Sequence, residues 1–305
     1  MQRYLVRRLL ISIVTLMAVS VIIFIMARIG GDPRSVMLDE FAGPEIWEEL
    51  GRELGLDKPV YEQYGIFIKD LFTGDYGQSI KERRPVIEVI WERLPATLEL
   101  AAASFLFSTL IGVPLGILSS IKRGSIVDQI GKFVALIGQS APSFWLGIML
   151  MFLFAVKLEW VKPSGRQEFT SIILPAVTLG WFFVAANLRL VRSAMLDVLD
   201  SEYIKLARAK GLPGRTVIFK HALRNAIIPP LTFAGVTLGS VVTGSLVAET
   251  VFAWPGLGQL AVQALWAFDY PLLQGIVIVF TLMYVLVALL VDILYAYVDP
   301  RIRYA

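Results

Sequence analysis

The chain has no cysteine and a single histidine, His221, among its 305 residues. Disulfides and thiolate metal sites are excluded, and no histidine pair exists to hold a metal. Charge is also scarce. Asp, Glu, Lys and Arg together make up 17%, where a soluble domain carries about 25%, which excludes an ordinary water-soluble enzyme. Catalytic motifs are missing as well. Gly131-Lys132 is followed by Phe133 rather than a hydroxyl, so no phosphate cradle is present and the chain is expected neither to hydrolyse ATP nor to hold a cofactor. There is no His-Glu-x-x-His helix, no Gly-x-Ser-x-Gly elbow, and no internal repeat of the kind secondary transporters show.

What the chain does have is apolar residues, 56% of the total, with a mean hydropathy of +0.69. They gather into runs near Leu9–Ile29, Thr97–Ile121, Phe133–Leu158, Ile172–Leu190, Ala226–Phe252 and Leu272–Val298. Each approaches the ~20 residues that cross a hydrocarbon core. The expected fold is an all-α polytopic membrane protein with six transmembrane helices. Pro175 interrupts the fourth run, which is tolerated where neighbouring helices satisfy the freed carbonyl. Arg3, Arg7, Arg8 and Ala18-Val19-Ser20 could also frame a secretory signal. However, the first run continues to Met26, beyond the ~7–15 residues of a signal core, and is read as a retained anchor.

Basic residues flank the spans mostly on one side, the opposite 159–171 loop having only Lys162 and Arg166. Arg7, Arg8, Lys122, Arg123, Lys132, Arg301 and Arg303 share the basic side with the segment from Arg189 to Arg224, whose net charge is +5. The 253–271 loop has no Lys or Arg. Short cytoplasmic loops keep positive charge, so both termini are expected in the cytoplasm and the chain in the inner membrane. Trp160, Trp254 and Trp266 fall on the expected outer boundary, where indoles favour the water–lipid interface, while Trp145 and Trp181 sit deeper as gap fillers.

Three regions follow: residues 1–29 (first span), 30–96 (external), and 97–305 (a five-helix core carrying a cytoplasmic loop at 193–225). The external region has a net charge of −6. Helical stripes at Ile46-Trp47-Leu50-Leu54 and Tyr64-Phe67-Ile68-Leu71-Phe72 predict two short helices, serving either as a solvated cap or as a docking surface. In the cytoplasmic loop, Glu202–Lys210 predicts a helix with Tyr203, Leu206 and Ala207 on one face. Gly211 and Pro213 then stop it, and a second helix restarts near Arg215 with Val217, Ile218, His221, Ala222 and Leu223 on its apolar side. This basic elbow suits either a protein partner or anionic headgroups. Tethered to the membrane at both ends it would reach a DNA groove poorly, so nucleic acid is not an expected partner.

In the fifth span Thr232, Gly235, Gly239, Ser240, Thr243 and Gly244 put small residues at helix-packing spacing, reading either as a packing seam or as a lining of a translocation path. Glu249 and Asp292 are ionisable groups in or at the end of spans, and each is expected to face protein or water rather than lipid.

Seven motifs occur in order: Gly31-Asp32-Pro33, Leu54-Gly55-Leu56-Asp57-Lys58-Pro59, Gly74-Asp75-Tyr76-Gly77-Gln78-Ser79, Ala207-Arg208-Ala209-Lys210-Gly211, His221-Ala222-Leu223-Arg224-Asn225, Trp254-Pro255-Gly256-Leu257-Gly258 and Val298-Asp299-Pro300-Arg301. Together they resemble the permease subunits of ATP-binding-cassette (ABC) importers, in the branch that handles dipeptides, oligopeptides and nickel. The resemblance implies a type I importer fold and peptide transport. It also implies several partners: a second homologous permease forming a heterodimer, two ATP-binding subunits that carry the ATP and Mg, an extracytoplasmic solute-binding protein, and the lipid bilayer. It makes the elbow the ATPase-coupling loop named for a Glu-Ala-Ala pattern. Lys205 and Leu206 stand where that pattern has Glu and Ala, and His221 and Arg224 replace Ile and Pro, so only Ala207, Gly211 and Leu223 carry over. A membrane scaffold or sensor, with the elbow binding lipid or another protein, is the alternative from a different class.

Overall fold

The computed structural model describes residues 2–29, 32, 34–38, 43–53 and 55–298. Gly31, Pro33, Leu54, Asp299, Pro300, Arg301 and Arg303 lie outside them. Among the described residues the only β pairing is an isolated bridge, Gln78 to Pro85. The helices are α1 (Gln2–Ile29), α2 (Pro44–Glu53), α3 (Val60–Thr73), α4 (Val86–Ile121), α5 (Ile126–Ser140), α6 (Ser143–Leu150), α7 (Ile173–Leu199), α8 (Glu202–Ala209), α9 (Ile228–Gly244), α10 (Leu246–Val251), α11 (Leu257–Trp266) and α12 (Tyr270–Val298).

Five stretches are long and apolar enough to cross a membrane unbroken. The expected third span is different. Instead of one rod over Phe133–Leu158, α5 and α6 form a pair bent by 109°. The bend follows from Ala141-Pro142: proline pushes the preceding residue out of the α region, and Ala141 is extended, with φ −79° and ψ 128°. Past α6, a π-helical stretch, Met151–Lys157, completes the pair. Pro175 does not interrupt the next span. It falls in the first turn of α7, where the missing N–H has no helical partner to lose.

The centre of the fold is the seam between α4 and α7, where glycine and serine replace bulky side chains. At Gly112 an added Cβ would sit 2.8 Å from the Val184 carbonyl, at Gly116 2.7 Å from the Leu188 carbonyl, and at Gly180 2.8 Å from the Ser104 carbonyl. Small residues let two backbones close to this distance. The hydroxyls of Ser104 and Ser108 turn back onto their own helix, to Leu100 O (2.7 Å) and Phe105 O (2.9 Å). α4 is 36 residues long, or about 54 Å at the α-helical rise, and so extends well past a hydrocarbon core of about 30 Å.

One end of the bundle gathers the outer elements. The N-terminal turns of α4 pack with α11 and the start of α12 through Val86, Ile90, Leu257, Leu260, Leu272 and Ile276. α3 rests on α1 through Tyr64 and Phe67, whose rings lie 5.4 and 5.6 Å from that of Phe24. Both predicted external helices are present, although Phe72 of the α3 stripe is exposed. Arg34 grips Asp32 (2.6 Å) and lies over Trp47, and this guanidinium holds the Asp32 carboxyl below the usual carboxylate range.

The opposite end holds the C-terminus of α4, the 122–125 loop and the elbow. The N-terminal part of α1 lies at that end too, because α1 runs antiparallel to α12 and Arg8 pairs with Asp292 at 3.2 Å. Asp292 thus faces protein, and Arg8, Lys122, Arg123 and the elbow share one end. Of the tryptophans, Trp160 and Trp266 are exposed, but Trp254 is buried, with Nε1 donating to Ala96 O at 2.8 Å. It is a core residue and not an interfacial one. Trp145 is half exposed rather than filling a gap.

Candidate functional site

The elbow is a folded unit with its own small core. Ile204 and Ala207 of α8 turn inward onto Val191 and Met195 of α7 and Ile117 of α4, together with Val217, Ala222 and Ala226 of the second arm. The predicted face of α8 is therefore split. Ala207 packs inside, beside an Ile204 that the sequence reading did not single out, while Tyr203 and Leu206 point away. Gly211 makes the bend at φ +77°, with its N–H on Arg208 O (2.9 Å). Nothing lies within 4 Å of an added Cβ there, so glycine is required by the backbone and not by crowding. The second arm is a short α-turn, a π-helical stretch over Val217–Ala222, and a further turn, Leu223–Ala226. Leu223 is partly buried against the elbow core. Asn225 donates to Tyr203 Oη (2.8 Å) and ties the arms together. Tyr203, Leu206, Leu212 and Phe219 remain as an exposed apolar rim among Lys205, Arg208, Lys210, Arg215 and Lys220.

On α9 the glycines face inward. An added Cβ on Gly235 would lie 2.1 Å from Val291 Cγ1, and on Gly239 3.1 Å from Tyr284, so both serve close packing with α12. The hydroxyls bond to their own helix: Thr232 to Ile228 O (3.1 Å), Ser240 to Val236 O (2.9 Å) and Thr243 to Gly239 O (3.2 Å). Gly244 ends the helix. Val236 and Thr243 of α9 and Val247 of α10 are exposed.

Glu249 is fully buried. Its Oε1 accepts from Thr97 Oγ1 (2.9 Å) and Ser245 Oγ (2.8 Å), and its Oε2 from the Gln259 N–H (2.9 Å). Thr97 Oγ1 in turn accepts from the Leu257 N–H at 2.8 Å. The N-cap of α11 is Gly256, which has no side chain to offer. Thr97 and Glu249 therefore cap α11 from neighbouring helices, satisfying N–H groups that an isolated helix end leaves open. A second outer junction joins the 75–85 segment to the start of α12: Asp269 Oδ2 accepts from Ser79 Oγ (2.5 Å) and the Lys81 N–H (3.1 Å), and Asp269 Oδ1 from the Leu272 N–H (3.2 Å). Neither Thr97 nor Asp269 stands out in the sequence, because their partners are 152 and 190 residues away.

The chain superposes on the inward-facing MetNI methionine ABC transporter with a TM-score of 0.59 over 70% of its own length and 97% of the other chain, at 21% identity. A family model described as "Binding-protein-dependent transport system inner membrane component" matches residues 112–304. A second, for the N-terminal part of the same membrane component, matches residues 1–101. The chain belongs to this family and is a multi-pass inner-membrane permease subunit. It is 40% identical to the dipeptide transport system permease protein DppB of Escherichia coli (strain K12), over 100% of this chain and 99% of that protein. It is also 38% identical to the glutathione transport system permease protein GsiC of the same strain, over the whole of both chains.

Proposed function

We propose that this permease passes small peptides, pairing with a second homologous permease through exposed residues of α9, and that its elbow docks on an ATP-binding subunit. ATP and Mg are held by two such partners, and a solute-binding protein delivers peptide to the outer end. Both termini lie in the cytoplasm with the elbow. The observation that carries this reading is the rim of Tyr203, Leu206, Leu212 and Phe219, held out by a unit whose own core is already filled. An apolar rim ringed by cations fits a hydrophobic groove with an acidic border. Similarity to permeases named for dipeptide and glutathione transport supports the substrate class.

The test is to co-express the chain with its genomic neighbours. Leu206→Asp and Phe219→Asp are expected to abolish copurification of the ATPase, since burying an unpaired charge at an interface costs several kcal/mol. Retention of the ATPase by both variants would remove the docking role. Gly211→Val, which strains a positive φ by about 1–2 kcal/mol without a steric clash, is expected to leave insertion intact and lower substrate-stimulated ATP hydrolysis in the reconstituted complex.

A further inference from the structure

At the elbow end of the bundle, Asp128 is completely buried, yet it is charged and lies at the first turn of α5. Five donors converge on its carboxylate. Arg192 of α7 forks onto both oxygens, with Nε on Oδ1 at 2.7 Å and Nη2 on Oδ2 at 3.1 Å. Ser119 of α4 donates to Oδ1 (2.5 Å), the Gly124 N–H to Oδ2 (3.0 Å), and Lys132 reaches Oδ2 at 3.0 Å. Arg192 Nε also reaches Ser119 Oγ (3.1 Å), closing a triangle over α4, α5 and α7. A bidentate guanidinium–carboxylate pair fixes angle as well as distance.

The place of this pair is the second observation. Arg192 is flanked on α7 by Val191 and Met195, the two residues on which the elbow core rests, and Ser119 follows closely on Ile117, the α4 residue in the same core. Two independent attachments therefore meet within one turn. The elbow is seated on α4 and α7 by apolar packing, and α5 is bound to α4 and α7 by Asp128. α5 leads through the 109° bend into α6, where Gly147 packs on Thr178 of α7 and Phe252 beyond α10.

We propose that Asp128 and Arg192 are positioning residues that lock α4, α5, α7 and the elbow into one rigid lever, so that a push on the elbow is delivered to the bent pair instead of being absorbed at the 122–125 loop. This rests on the docking role of the elbow. Bonds from Ser119, Gly124, Lys132 and Arg192 to one buried carboxylate cross-link α4, the 122–125 loop, α5 and α7 at a single point, and the two-point guanidinium contact resists rotation there.

The experiment uses the full complex; this chain has no cysteine, and any cysteine of the partner subunits is first replaced by serine. Spin labels at Arg123→Cys and Glu202→Cys, both exposed, report the separation of the 122–125 loop and the elbow. The expected wild-type result is one separation, unchanged between nucleotide-free and ATP-bound states. In Asp128→Asn the distribution is expected to broaden and shift with ATP. Transport per ATP hydrolysed should fall about tenfold, within the range of ordinary coupling energies, while the ATPases still copurify. Arg192→Lys keeps the charge but not the fork, so it should fall between the two, and Asp128→Asn with Arg192→Gln should be no worse than Asp128→Asn alone. An unchanged transport-to-hydrolysis ratio in Asp128→Asn and Arg192→Lys would overturn the proposal, as would a wild-type separation that changes with ATP. If wild type itself captured no ATPase, the docking role would fail, and the label distribution in Asp128→Asn would still decide whether the joint exists.

Discussion

Glu249→Ala is expected to melt the outer end of the permease before the rest. The variant strands the Thr97 hydroxyl and the Gln259 N–H, both bonded to the carboxylate in a dry interior, and leaves the Ser245 hydroxyl only its longer contact to Val242 O at 3.3 Å. Each orphaned donor costs about 1–3 kcal/mol, so the sum is a large share of the stability of any helical bundle. Glu249→Gln should be milder, because one amide oxygen still serves Thr97 and Ser245. Its NH2 would face the Gln259 N–H, donor against donor, so it should not match wild type. Thermal unfolding of the detergent-solubilised protein, with limited proteolysis of the 253–269 segment that carries α11, measures both. Equal melting of Glu249→Ala and wild type would show that the three donors find other partners and that the residue does not hold the junction.

Gly116→Leu is expected to prevent accumulation of folded protein. Its Cβ would meet the Leu188 carbonyl and Val191 Cβ at 2.7 Å, one of them backbone and the other a stiff β-branched residue. Overpacking of this kind costs about 1–3 kcal/mol when the core can shift. Here Gly112 and Gly180 hold the preceding turns of the same seam at 2.8 Å, so α4 and α7 have little room to separate locally. Gly116→Ala should be intermediate. Gly65→Ala, where nothing lies within 4 Å of the new methyl, should be neutral or stabilising by up to ~1 kcal/mol. Yield and monodispersity on size-exclusion chromatography rank the three, and a Gly116→Leu protein as abundant and stable as wild type would contradict the seam.

The long apolar runs made the spanning helices legible, because hydropathy over twenty residues registers whatever the neighbours are. Gly211 was legible for a similar reason: a glycine followed by Leu-Pro ends a helix by local geometry alone, and it has the expected positive φ. Properties that depend on distant partners were not readable. Trp254 carries the composition of an interfacial indole, but its N–H has a partner at Ala96, and that pairing puts it in the core. The third span reads as continuous because hydropathy is blind to direction; Ala141-Pro142 held the signal for the 109° bend. Ala207 and Leu206 are neighbours in sequence, yet one packs inside the elbow and the other faces out, because Ile204 rather than Tyr203 seats α8 on α7. Asp128 and Arg192 carry no signal in the sequence, because they stand 64 residues apart and meet only in the fold.

Among the described residues the polar and ring contacts of the first helix include the Arg8–Asp292 pair, a Gln274 contact to Ile23 O, a Ser20–Tyr64 hydrogen bond and the ring cluster with α3. Most of its seat is α12, which leaves the ribosome long after α1. During biogenesis α1 must therefore wait in lipid while everything between is made and inserted, and a truncated product ending before Tyr270 would display an unclaimed hydrophobic rod.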